Sequence, residues 1–121
     1  VVPERYLNKT LSRVFQAFRI KVNDELTNIC NSVIDAINIL NPGSRLAVIT
    51  FHSIEDRLIK NIFKSYSRGD AGYLENIGYP ISGPLEKTLL LVNKKPISPD
   101  RLEIKKNKRS RSAKLRVVER I

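Results

Sequence analysis

The most restrictive feature of this sequence is a short apolar segment that follows a Pro-Gly pair. Residues 45–51, RLAVITF, are almost continuously apolar and come directly after Pro42, Gly43 and Ser44. A run of this length bounded by a turn signal is typical of a strand covered on both faces in a parallel sheet. Apolar side chains then recur at helical spacing over residues 54–66. We therefore predict a central parallel strand followed by a helix, within a layered α/β fold.

The first forty residues predict a long helix. From about Asn8 to Leu40 an apolar residue recurs every three or four positions, which places these side chains in one stripe along a helix. A kink near Asn23 is compatible with the pattern, and Pro42-Gly43 ends it.

The remaining segments predict smaller elements. The glycine-rich stretch Ser67–Pro84 is expected to form a long loop, and the apolar residues 88–92 a short strand. Ser98 and Pro99 suit the N-cap and first position of a short helix that reaches about Lys105. Residues 112–118 alternate between apolar and basic side chains, which predicts a half-exposed strand.

Positive charge is concentrated near the C-terminal end. The formal net charge is +10, and residues 94–121 carry 11 basic but only 3 acidic side chains. This basic tail is suited to phosphate contacts, so RNA is the leading partner on charge, and a generic solvated surface is the alternative. No apolar run approaches the roughly 20 residues that span a bilayer, and no signal peptide is visible. We expect a cytoplasmic protein without membrane contact.

Cysteine and histidine usage excludes several kinds of site. The single Cys30 cannot form an internal disulfide and, among apolar neighbours, is expected to be a buried thiol. One Cys and one His, His52, are too few for a zinc cage, so we predict no metal site. The sequence contains no methionine, from which we expect that its N-terminus has been cut or processed.

Three blocks of the sequence are distinctive in their order and spacing: FQAFRIKVNDEL at 15–26, PGSRLAVITFHSIEDRLIKNIF at 42–63 and KPISPDRLEIKKNKRSRSAKLRVVER at 95–120. Together they resemble the C-terminal half of the bacterial RsmH family, also called MraW. The resemblance implies the C-terminal portion of a class I, Rossmann-like methyltransferase fold. Residues 1–40 would then be a long helix from the end of a helical insertion, and residues 41–121 the C-terminal half of the sheet with the basic tail.

The resemblance also implies a function. The family methylates the exocyclic N4 of a cytidine in bacterial 16S ribosomal RNA of the small subunit, with S-adenosylmethionine as the donor. Its glycine-rich cofactor loop lies in the N-terminal half, and this chain holds no such loop. Ser44 and Thr50 are smaller departures, since the family usually has glycine and serine there. We therefore expect an incomplete segment that has no cofactor-binding residues and is inactive alone.

The candidate catalytic residues are His52 and Ser53, which follow the predicted strand at the edge where α/β folds bind ligands. A neutral imidazole can accept a proton or position an amino group. The structural alternative is that Ser53 only caps the helix, with Asp56 three residues on, and for Ser53 this alternative is preferred.

RNA contacts are predicted on three segments. The basic tail is the main candidate, because arginine suits bidentate phosphate contacts and Ser110 and Ser112 can donate to phosphate. Arg19 and Asn23 share a helix face, which is either a channel wall or an ordinary surface pair. The full predicted set is Arg19, Asn23, Arg57, Lys108, Arg109, Arg111, Lys114 and Arg116.

Other functions are also compatible with these residues. A non-catalytic basic RNA-binding module, or a gene remnant, would equally lack a cofactor loop. A hydrolase built on His52, Ser53 and Asp56 is disfavoured, because residues on one helix cap do not form a nucleophile–base line and no G-x-S-x-G elbow is present. The expected partner is the small ribosomal subunit, and a homodimer is an open alternative to a monomer.

Overall fold

A computed structural model of the chain describes residues 3–121. It contains five α-helices and three strands within that range. In chain order they are α1 (Leu7–Asn23), α2 (Glu25–Ile39), β1 (Arg45–Thr50), α3 (Ser53–Arg68), α4 (Gly72–Glu75), β2 (Leu89–Leu91), α5 (Arg101–Lys106) and β3 (Lys114–Arg120). Short 3-10 turns lie at Glu4–Tyr6 and Lys108–Ser112. The chain is thus a mixed α/β structure.

The long N-terminal helix is divided into two at Asp24. This residue adopts a left-handed backbone with φ of 51°, and is the one non-glycine residue among those described that has a positive φ. Aspartate tolerates this region better than most residues, because its short polar side chain can form local hydrogen bonds. The break therefore falls one residue after Asn23, where the sequence was compatible with a kink.

The sheet has the order β1-β3-β2, and both pairings are antiparallel. The prediction that β1 is a central parallel strand is therefore wrong for the described residues, in which β1 pairs only with β3 and forms an edge. Arg45 lies opposite Glu119 and Thr50 opposite Lys114. The expectation that both faces of β1 are covered is also wrong in the described residues, because Arg45, Ala47 and Ile49 on one face are exposed. The apolar content of the segment carries no information on the direction or side of its partner strand.

The hydrophobic core lies between one face of this sheet and helices α2 and α3. Ile37 from α2, Ile59 and Phe63 from α3, Leu89 from β2 and Val118 from β3 are at most 2% exposed. Cys30 is buried in the same cluster, as expected, and burial raises the pKa of its thiol. Helices α2 and α3 and the strands thus share one core, whereas α1, which was also predicted from helical spacing, contributes no buried residue.

Two smaller predictions need correction. The segment 67–84 is not entirely a loop, because α3 continues to Arg68 and α4 follows. The cap of α5 is not Ser98 but Asp100, whose carboxylate accepts a hydrogen bond of 2.7 Å from the Glu103 amide. Ser98 and Pro99 lie in the preceding loop. Among residues 3–121, no helix is long and apolar enough to cross a membrane.

Candidate functional site

An apolar groove of about 620 Å³ lies on the sheet face that α2 and α3 leave uncovered. Ile49 of β1 and Leu115 of β3 are opposite each other in the register and form its floor together with Phe51 and Ile97. Thr50, the neighbour of Ile49, is buried on the opposite side, since side chains alternate along a strand. The groove has the size of a small-ligand site.

One side of the groove is lined by residues between Ile97 and Ala113, and its position is fixed by backbone pairing and by a capped turn. Ile97 and Leu115 exchange two backbone hydrogen bonds of 2.9 and 2.8 Å, which attach the loop before α5 to β3. Asn107 caps the 3-10 turn by accepting from the Arg109 amide at 3.1 Å. Glu103, Asn107 and Arg109 then form a polar rim around the apolar floor.

On the other side of the groove, the lining residue Phe51 directly precedes His52, which is the N-cap of α3. Its Nδ1 accepts a hydrogen bond of 3.4 Å from the Glu55 amide, and its Nε2 lies 3.0 Å from the Glu55 carboxylate without hydrogen-bond alignment. Glu55 also accepts a hydrogen bond of 3.2 Å from the Phe51 amide. This reciprocal arrangement is a variant of the capping box, and it fixes the backbone of groove residue Phe51.

Ser53 is therefore not the cap, which corrects the preferred interpretation of that residue. It is the first residue of α3 and is exposed. His52 is mostly shielded but does not line the groove, and both of its ring nitrogens face Glu55. The structure thus gives His52 a capping contact, while the preceding residue, Phe51, lines the groove.

A buried ion pair joins the first turn of α3 to β3. The Arg116 guanidinium donates to both oxygens of Asp56, at 2.7 and 3.0 Å, and Lys114 Nζ lies 3.8 Å from the same carboxylate. The Arg116 hydrogen bonds hold the pKa of Asp56 below its ordinary value, against the opposite effect of burial. Because Arg116 is only 8% exposed, its charge is used inside the protein, and we leave it out of the RNA-contact set proposed below.

The rest of the basic tail is on the surface. Lys108, Arg109 and Arg111 are exposed, and among residues 3–121 none of them lies within 4 Å of a carboxylate. Lys114 is partly exposed. Ser110 cannot serve as the predicted phosphate donor, because it is buried and donates to the Asn107 carbonyl at 2.7 Å. Ser112 is exposed.

The other predicted contact residues lie elsewhere. Arg19 and Asn23 are at the junction of α1 and α2, where Glu25 accepts hydrogen bonds of 3.4 Å from each side chain. Arg57 is exposed on α3 and borders a separate hollow. The structure does not bring these three residues to the groove, whereas it does bring Arg109 there.

The described residues do not fit a binding site for S-adenosylmethionine. Class I methyltransferases hold this cofactor with a glycine-rich turn between a strand and a helix, as the resemblance implies. Here β1 passes to α3 through Phe51 and His52, and no glycine lies in that turn. We assign no residue of this chain to the cofactor.

Sequence reasoning missed two residues that shape the site. Asn93 donates to the Leu115 carbonyl at 3.1 Å and accepts from the Val117 amide at 2.7 Å, so it ties the loop after β2 to β3. Asn107 caps the turn at the groove rim. Asparagine is a common capping residue, so the position of Asn107 just before the basic turn was a recognisable capping signal. The role of Asn93 was not recognisable, because it depends on a contact with a residue 22 positions away in the chain.

The sequence of all 121 residues matches the MraW methylase family, with no part of the chain outside the match. The chain belongs to this family. Its groove, α3 cap and basic tail all fall within the matched region, 1–121.

Curated relatives agree with this assignment. A protein named Ribosomal RNA small subunit methyltransferase H from Chlorobium phaeobacteroides is 47% identical over 114 residues, which is 93% of this chain and 34% of the relative. Its namesake from Elusimicrobium minutum is 46% identical over 121 residues, 100% of this chain and 36% of the relative. A third, from Brevibacillus brevis, is 46% identical over 110 residues, 90% of this chain and 34% of the relative. This MraW-family chain thus spans about a third of the length of these relatives and matches their C-terminal part.

Proposed function

We propose that this chain is the C-terminal segment of an S-adenosylmethionine-dependent methyltransferase that modifies N4 of a cytidine in 16S ribosomal RNA. In this assignment the segment binds the RNA and holds the target base, in the cytoplasm. Support comes from the family and from the names of the relatives, which refer to methylation of small-subunit ribosomal RNA.

The observation that carries the proposal is the groove beside the basic tail. A single flipped base needs an apolar surface for its ring and a few polar groups at its edge. Phe51, Ile97 and Leu115 provide the surface, while Glu103 and Asn107 provide acceptors and donors at the rim. Lys108, Arg109 and Arg111 lie next to Asn107 in the chain, where the phosphates on either side of such a base would pass.

Two unpartnered surfaces support the assignment to a segment of a larger fold. The edge of β1 that faces away from β3 has no strand partner among the described residues. Helix α1 has an exposed apolar stripe and no buried residue. In a relative-sized protein, a further strand of a Rossmann-like sheet would pair with this edge of β1, and other parts of the protein would cover the α1 stripe.

In this proposal the residues of the chain position the base and do not supply the methyl group. S-adenosylmethionine, bound by other parts of the enzyme, supplies it. His52 and Glu55 fix the backbone of Phe51, which is part of the apolar floor against which the cytosine ring rests. Positioning of this kind accounts for a large part of the rate when the donor is intrinsically reactive.

A chimeric enzyme tests the proposal. This chain would replace the matching C-terminal third of the Elusimicrobium minutum relative, and transfer of a radiolabelled methyl group to small-subunit ribosomal RNA would be measured. We expect transfer to a cytidine N4 by the chimera and none by the chain alone. A folded chimera that leaves the RNA unmodified would contradict the proposal.

A non-catalytic RNA-binding module is the second candidate, favoured by the lack of a fitting cofactor site in the described residues. Methyl transfer by the chimera distinguishes the two candidates, because both predict that the isolated chain binds RNA. If the chain is a non-catalytic module, the chimera should bind S-adenosylmethionine through the relative's own part, as calorimetric titration would show, and still transfer no methyl group.

A further inference from the structure

Helix α3 carries a second basic surface that is separate from the tail. Four cations recur every three or four residues along its outer side, namely Arg57, Lys60, Lys64 and Arg68. No acidic residue occurs between Asp56 and Asp70. At 1.5 Å per residue this α3 basic stripe is about 16 Å long. Lys94, from the loop after β2, lies in the same hollow as Lys60 and Lys64.

The stripe is not explained by the stability of the helix. Like charges four residues apart destabilise a helix by a few tenths of a kcal/mol per pair, and Lys60, Lys64 and Arg68 form two such pairs. Among residues 3–121, none of the stripe cations or Lys94 forms an ion pair within 4 Å. The nearby carboxylate of Asp56 is already matched by Arg116 and Lys114.

The aromatic ring of Tyr73, which lies at the end of the stripe, is already engaged. The Arg68 guanidinium lies 5.5 Å from the centre of this ring and donates to its hydroxyl at 2.6 Å. Lys64 Nζ lies 5.8 Å from the same ring. These cation–π contacts hold two cations in place and occupy the ring on which a base could otherwise stack. The surface therefore suits phosphates and not bases.

Basic side chains connect the stripe to the tail. Lys114 begins β3 directly after the 3-10 turn of the tail, and it lies on the α3 side of the sheet beside Asp56. Arg116, two residues further along the same face, borders the hollow of Lys60, Lys64 and Lys94. Lys114, which is partly exposed, thus lies between the tail and the stripe, whereas the charge of the buried Arg116 is paired with Asp56.

We infer that the α3 basic stripe with Lys94 is a second RNA-backbone surface, which binds the phosphates of an RNA helix next to the target nucleotide. This inference rests on the proposed RNA substrate and extends it, since it assigns sequence-independent contacts to residues outside the tail. It requires the bound RNA to reach both faces of the sheet.

The test uses the whole chain and a short fluorescein-labelled RNA hairpin, with affinity measured by anisotropy from about 50 to 200 mM salt. We expect Lys60→Gln with Lys64→Gln to weaken binding about three- to ten-fold and to reduce the salt slope by about 0.7 to 0.9 for each phosphate that is no longer neutralised. Lys9→Gln with Lys21→Gln on α1 removes the same charge and is the matched control. Circular dichroism checks the fold of each variant.

The outcomes separate this inference from the proposed function. If the unmodified chain does not bind the hairpin, the proposed RNA role fails and this inference with it. If Arg109→Gln with Arg111→Gln weakens binding but the α3 pair behaves like the α1 control, only the second surface is rejected. The inference is also overturned if the α3 pair abolishes binding to phosphatidylserine vesicles and leaves the RNA salt slope unchanged, because the stripe would then be a membrane surface.

Discussion

The pairing of Asp56 with Arg116 is the residue-level contact that most directly connects α3 to the sheet. Both side chains are buried, and the two hydrogen bonds leave each charge matched. Neither partner was assigned this role from sequence, because Asp56 was considered as a cap partner and Arg116 as an RNA contact. A contact across 60 residues leaves no trace in local spacing.

Removing one partner should destabilise the chain strongly. Arg116→Ala leaves the Asp56 carboxylate buried without its main donor, so we expect a loss of about 3 to 5 kcal/mol in the free energy of unfolding. Urea denaturation measures this difference. The control is Arg45→Ala, which breaks the exposed pair with Glu119 and should change stability by about 0 to 1 kcal/mol. Similar losses in both variants would contradict the prediction.

The same pair predicts a pH dependence. The pKa of Asp56 is lowered in the folded chain, so its contribution is fully present above the unfolded value of about 3.9. It is lost as the pH falls through the lower folded pKa, where the carboxylate becomes protonated. The stability difference between the unmodified chain and Asp56→Asn should therefore shrink below about pH 4. A difference independent of pH in that range would show that Asp56 does not act through its charge.

At the level of elements, α3 combines a cap beside the groove with the basic stripe. Its existence was predictable from periodic apolar residues, as were α1 and α2. Its cap was not, because Ser53 is a more common capping residue than His52 and sequence spacing does not distinguish adjacent candidates. The cap lies one residue before the preferred candidate, so the capping contact to the Glu55 amide comes from the His52 imidazole and not from the Ser53 hydroxyl.

Variants of His52 separate capping from catalysis. His52→Ala removes the acceptor for the Glu55 amide and should destabilise the chain by about 1 kcal/mol, whereas His52→Asn restores a capping side chain and most of that stability. Urea denaturation measures both changes. In the chimeric enzyme, a capping role predicts that His52→Asn keeps near-normal turnover. Recovered stability without recovered turnover would instead assign catalysis to the imidazole.

The tail is the second element with a direct prediction. Arg109→Gln with Arg111→Gln should reduce the salt slope of RNA binding by about 0.7 to 0.9 for each phosphate that these arginines neutralise. Hairpin anisotropy measures the slope. Arg116→Met is not a suitable control because it disrupts the core, whereas Arg5→Gln with Arg13→Gln removes two exposed cations from the N-terminal helices. A slope equal to that of the unmodified chain would reject the tail as an RNA site.

At the scale of the whole molecule, the sheet shows where sequence reasoning reached its limit. The apolar segments at 45–51 and 88–92 and the alternating one at 112–118 all contain strand residues. Their order and direction did not follow from the pattern, because an apolar run is equally compatible with a parallel or antiparallel neighbour. The groove could not be predicted for the same reason, since its floor needs Ile49 and Leu115 in register.

The uncovered surfaces predict self-association of the isolated chain. Phe15, Phe18 and Val22 on α1 are 69%, 66% and 79% exposed, which is unusual for large apolar side chains grouped on one helix. We expect the apparent mass in light scattering to rise with concentration. Phe15→Ser with Phe18→Ser should suppress this rise, and Arg13→Ser on the same helix should not. A chain that stays monomeric throughout would contradict the prediction.

The position of β3 at the centre of the sheet has a consequence for the order of events during synthesis. β1 is complete at Thr50, but its partner in the sheet begins only at Lys114, and β2 also depends on that same strand. Neither flanking strand can be stabilised by pairing within this segment until residues 114–120 have left the ribosome. The apolar side chains of β1 therefore lack a paired sheet until most of the segment has been translated. During that time a chaperone, or early packing of β1 against α2 and α3, is important for the yield of folded protein.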